Sequence, residues 1–249
     1  MKKYLLSTLA DSICVVLLSI CPILCYASAF SVKLEASVLI MAAVLFSIVF
    51  SLLSAFVKNN LKYALCMTVI AFVAFLVFVF ANERIFAQAN YAINKLLELY
   101  SVYLSVYSNI KFASYIANDA TGFFVLLSLI LNGLFSFLIS RIKSIKIAGL
   151  LSIALLVPCF VLVNTLPDLV PLLIIFTVLF ALYFSSQTRQ LNYAHSGVIT
   201  AVCAVILAVL ITVLAVINPV ADYERPKWQD NMLNTVQTLT GMKTYNGSG

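Results

Sequence analysis

Charge is scarce in this sequence. Asp, Glu, Lys and Arg make up 10% of its 249 residues, where a soluble domain carries about a quarter. A water-soluble fold is excluded, because too few polar groups are present to cover its surface. Histidine is scarcer still, with His195 alone. A general base wants an orienting carboxylate, and the acids nearest to it in sequence, Asp168 and Asp222, are assigned below to the opposite membrane face. His195 therefore reads as an interfacial or capping residue. There is no phosphate-binding glycine loop, no His-Glu-x-x-His and no Gly-x-Ser-x-Gly. No carboxylate falls mid-span, where a proton or cation relay would need one. A contiguous basic face with interleaved aromatics is missing too, so no nucleic acid is expected as a partner.

What the chain has is apolar length. Hydrophobic residues form 63% of it and the mean hydropathy is +1.10. A bilayer-crossing helix needs about 20 mostly apolar residues. Seven runs qualify, at about 12–30, 36–57, 62–81, 122–140, 145–163, 169–185 and 196–217. Runs of this kind cross lipid as helices, since a helix satisfies its own backbone hydrogen bonds. The expected fold is an all-α, polytopic bundle over 1–217, followed by a juxtamembrane tail, 218–249. Met1-Lys2-Lys3 before the first run has the look of a signal peptide, with Ala27-Ser28-Ala29 as a weak cleavage match. An uncleaved first helix is the preferred reading.

The charges set the orientation. With the N-terminus in the cytoplasm, the inner pieces hold Lys2, Lys3, Lys58, Lys62, Arg141, Lys143, Lys146 and Arg189 against Asp11 alone. The outer pieces hold the remaining seven basic residues and eight acids. Basic residues mark cytoplasmic loops, and the tight turn Arg141–Lys146 is the strongest such marker. The tail is then extracytoplasmic and the location is the cell membrane.

The segment 82–121, between the third and fourth spans, is too polar to cross. Phe86, Ile93, Leu97, Tyr100, Leu104 and Tyr107 recur at helical spacing, and tyrosines suit the headgroup zone. An amphipathic outer helix is expected. It is either a lid over the bundle or a docking surface, with Tyr100, Tyr103, Tyr107 and, from the tail, Trp228 as the candidate contacts.

Polar candidates inside the spans are few. Asn132 lies near the middle of the fourth span beside Gly133, and a contact with a neighbouring helix is commoner there than a transport role. Asp11 borders the first span as a candidate cap. Pro22 and Pro158 are candidate kinks. All six cysteines, Cys14, Cys21, Cys25, Cys66, Cys159 and Cys203, fall in apolar runs and read as small packing residues. Cys21 and Cys25 share a helix face, but no His or acid lies near, so no metal site is expected. No cofactor is expected either.

The run Asp222-Tyr223-Glu224-Arg225-Pro226-Lys227-Trp228 follows the last span. This layout resembles bacterial membrane proteins of the transglutaminase-like class, in which an apolar helical block precedes an extracytoplasmic papain-like domain. The resemblance implies a Cys nucleophile, a His base and an Asp or Asn orienter in that domain. After residue 217 this chain has neither Cys nor His, so no catalytic residue is carried over. The chain then reads as the membrane-anchor part of a longer protein, in keeping with its Gly247-Ser248-Gly249 end. A small transporter or channel subunit is the first alternative. The second is a membrane-embedded enzyme acting on lipid-linked substrates, with Arg84, Lys95 and Lys111 as its only candidate residues.

Overall fold

A computed structural model describes residues 2–57, 59–80, 82–104, 117–161 and 167–190, with Val209. Among these residues the structure is all helical: α1 (Lys2–Ala29), α2 (Ala36–Phe56), α3 (Asn60–Phe80), α4 (Asn82–Leu104), α5 (Thr121–Ser136), a π-helical turn (Phe137–Ile142), α6 (Ile145–Val161) and α7 (Leu169–Gln190). The first six predicted spans each coincide with a helix. Four stretches are long and apolar enough to cross a membrane, Asp11–Ala29, Ala36–Ser54, Asn60–Val77 and Thr121–Ile142, while Ile145–Phe160 and Leu169–Phe184 are shorter apolar helices. The expected seventh span, 196–217, and the tail lie outside the described residues, Val209 apart.

α1 is the hub. It packs against α2, α5, α6 and α7, and the most extensive single pairing is α2 with α5. Val15, Leu18, Ile23 and Phe30 of α1 and the turn after it are buried in one core with Leu39, Phe124, Phe135, Leu156 and Ile175. α3 stands at the edge, touching mainly α4 and α5. Its outward residues are large and apolar, with Leu61 71% and Phe72 59% exposed. Such a surface is stable only against hydrocarbon or another apolar body.

Hydrogen bonds between helices tie particular helix ends together. At one end, Arg141 after α5 reaches the last carbonyls of α2, and Tyr63 in the first turn of α3 meets Ser136 of α5. At the other end, the Ala120 N–H donates to Lys33 O at 3.0 Å and the Asp168 N–H donates to Ser28 Oγ at 2.9 Å. The first is the basic end, with Arg141, Lys143 and Lys146. The second carries Glu35, Asp119 and Asp168.

Asp11 does not cap a helix. α1 begins at Lys2, more than two turns earlier, because the mixed stretch 2–12, with Leu5, Leu6 and Leu9 among its polar residues, continues the helix. Pro22 and Pro158 both lie inside helices, in α1 and α6.

The outer segment is helical over Asn82–Leu104. Ala87, Ala89, Asn90 and Ala92 are buried, whereas Phe86 and Ile93 are 45% and 39% exposed. Small residues let two helix backbones approach closely. The bulky apolar residues are left to face outward.

Candidate functional site

Three polar constellations stand out in the bundle. The first centres on Asn132, which is fully buried. Its Nδ2 donates to Ser19 Oγ of α1 at 2.8 Å and to Ser128 O, one turn back on α5, at 2.9 Å. Ser19 in turn donates to Val16 O at 2.8 Å. Oδ1 of Asn132 has no hydrogen-bond partner among the described residues. The next residue is Gly133, where a Cβ would come within 2.5 Å of Met67 Cε and 3.4 Å of the Phe50 ring. Asn132 and Gly133 therefore sit where α5 is pressed between neighbouring helices. Further serines join α1 to α2: Ser47 Oγ donates to Ser12 O at 3.1 Å, and the Ser12 and Ser51 hydroxyls pair. Contacts of this kind contribute roughly 0.6 kcal/mol each in a membrane.

The second is a lock at the basic end. The Arg141 guanidinium donates to Ser54 O at 2.6 Å and to Val57 O. These are carbonyls at the C-terminus of α2, which a helix leaves without an internal partner and which carry partial negative charge. The guanidinium also lies 4.8 Å from the Tyr63 ring centroid, a cation–π contact. Tyr63 is itself held by Ser136 Oγ at 3.1 Å and stacked on Phe137. The π-helical turn shifts the register of the last turn of α5 and places Arg141 there. It ends at Lys143 in a left-handed conformation, φ 54°.

The third joins α4 to the opposite end. Gln88 Nε2 donates to Asp119 Oδ1 at 3.3 Å, and Gln88 Oε1 accepts from the Phe123 N–H at 3.1 Å. The Thr121 N–H donates to Asp119 Oδ2 at 3.4 Å, while Thr121 Oγ1 accepts from the Glu35 N–H at 2.9 Å. Gln88 and Asp119 together satisfy the first N–H groups of α5, which have no partner inside the helix. A Cβ on Gly122 would come within 2.5 Å of Gln88 Oε1, so glycine there admits the glutamine. Further along α4, Lys95 donates to Glu98 at 2.9 Å, and that hydrogen bond raises the Lys95 ammonium above its ordinary range.

Of the expected docking residues, Tyr100 and Tyr103 lie in the last turns of α4, while Tyr107 and Trp228 fall outside the described residues, as does His195. Cys21, Cys25 and Cys159 are buried in the common core. Among the described residues, no group of three or more His, Cys, Asp or Glu is placed to hold a metal ion. Arg141 was legible only as a topology marker. Its role as a cap for α2 was not, since its partners lie 84 and 87 residues away. Gln88 gave no signal beyond its polarity.

The fold defines a class: an all-helical protein with several helices able to cross a bilayer. No known family model matches the chain, and neither a curated protein nor a solved structure does.

Proposed function

We propose that this chain is an integral membrane anchor and scaffold, carrying an extracytoplasmic domain of the transglutaminase-like class on its outer side. In this reading the basic end faces the cytoplasm. The N-terminus lies there, the tail leaves on the other side, and the partners are the bilayer and the outer domain of the same protein. The observation that carries the proposal is the use to which polar side chains inside the bundle are put. Asn132, Ser19 and Ser47 bond helix to helix or to backbone, as glue residues do. The Gln88–Asp119 junction adds support, because it fixes α4 to the outer end and gives an outer domain a rigid base. One observation favours the transport alternative: the unpartnered Oδ1 of Asn132.

The deciding experiment is the mass of the native, untagged product in its own membrane, detected with an antibody against residues 221–240. A product much heavier than 27.4 kDa is expected. A product of about that mass overturns the reading and turns attention to transport through the bundle.

A further inference from the structure

We propose that the groove between α6 and α7 at the basic end is a binding site for one anionic phospholipid, with its phosphate held by Lys146 and Lys143 and an acyl chain lying in the groove. The groove has a volume of about 370 Å³ and is lined by Lys146, Gly149, Leu150, Ile153, Leu179 and Tyr183. Lys146 and Tyr183 offer polar ends; the rest of the lining is apolar. From Lys146 to Ile153 the helix rises about 10 Å, the depth of the upper acyl-chain region below a headgroup. Polar head and apolar wall therefore match the two halves of a lipid.

The charge fits an anion. Between residues 137 and 167 the sequence has Arg141, Lys143 and Lys146 and no acid. Arg141 is engaged by the α2 carbonyls, whereas Lys143 and Lys146 form no ion pair among the described residues. Lys143 also occupies a left-handed position, φ 54°, where glycine would be easier by roughly 1 kcal/mol. The groove is open at Gly149, where a Cβ would meet nothing nearer than Leu179 Cδ2 at 3.9 Å.

The test is native mass spectrometry of the full chain in detergent micelles, titrated with phosphatidylglycerol or with phosphatidylcholine of the same acyl chains. The wild-type chain is expected to retain one phosphatidylglycerol in preference to phosphatidylcholine. Each of Lys143→Gln and Lys146→Gln should cut that retention about fivefold, from the usual strength of a lysine at an anionic membrane surface. Gly149→Leu, which fills the groove and leaves both lysines, should cut it as well. Lys33→Gln, at the opposite end, should leave it unchanged. Retention unaltered in Lys146→Gln, or in a Gly149→Leu protein that melts like wild type, overturns the proposal. So does equal retention of the two lipids by the wild-type chain.

Discussion

Replacing Asn132 by leucine should leave the bundle as stable as wild type, or slightly more so. Two terms oppose each other. The substitution removes one bond between helices, Nδ2 to Ser19 Oγ at 2.8 Å, which contributes roughly 0.6 kcal/mol and at most about 1.7. It also removes a buried carbonyl oxygen without a partner, whose desolvation costs about 1–3 kcal/mol. The bond to Ser128 O counts for little, because that acceptor lies on the same helix. Leucine has nearly the volume of asparagine plus a methyl group, so it leaves no cavity. The sum runs from about 0.7 kcal/mol destabilising to about 2.4 kcal/mol stabilising, with its centre on the stabilising side. Asn132→Ala removes the same bond and the same oxygen but also opens a void, and should be less stable than Asn132→Leu by about 2 kcal/mol. Asn132→Asp places a carboxylate mid-span and should cost about 3 kcal/mol. Unfolding in mixed micelles of rising sodium dodecyl sulfate fraction, followed by circular dichroism, measures all three. A loss above about 2 kcal/mol for Asn132→Leu would refute the reasoning, since it would mean that Oδ1 has a partner worth more than the bond to Ser19.

Arg141→Lys keeps the charge but loses the planar fork that reaches two carbonyls at once, and should cost about 1–2 kcal/mol in the same assay; an unchanged protein would show that α2 needs no such cap. Gln88→Leu should raise hydrogen exchange over residues 82–104 and leave α1 and α2 protected. Gln88→Glu should do the same, because a carboxylate takes the place of the amide that donates to Asp119, and unchanged exchange would count against the Gln88–Asp119 contact. Cys21, Cys25 and Cys159, each at most 2% exposed, should resist maleimide until the protein is denatured. A cysteine placed at position 143 should be reached by an impermeant reagent only after the membrane is opened; labelling from outside intact cells would reverse the proposed orientation.

The helices could be read from the sequence because their apolar runs are long, and in lipid length and composition alone decide what crosses. The inward face of α4 could not. Periodicity at Phe86 and Ile93 identifies an apolar face, but beside a bilayer an apolar face has two places to go. The alanines at 87, 89 and 92 were the better sign of helix contact, since close approach selects small residues. Asn132 was legible as a contact between helices because it is a lone amide in an apolar run. Its partner was not, because a serine in such a run satisfies itself on its own helix, as Ser19 does on Val16 O. The lock at Arg141 and the junction at Gln88 depend on residues far apart in sequence, and only the folded chain brings them together.

The central position of α1 has a consequence for how the protein is made. This helix is synthesised before its neighbours α5, α6 and α7, which follow it in the chain. The partner of Ser19 lies 113 residues downstream, so at about 5–20 residues per second α1 waits roughly 6–23 s in the membrane before Asn132 arrives. Through that interval the Ser19 hydroxyl is spent on Val16, and the apolar surface of α1 is covered by lipid or by whatever assists insertion. The enclosure of α1 therefore waits on helices made well after it.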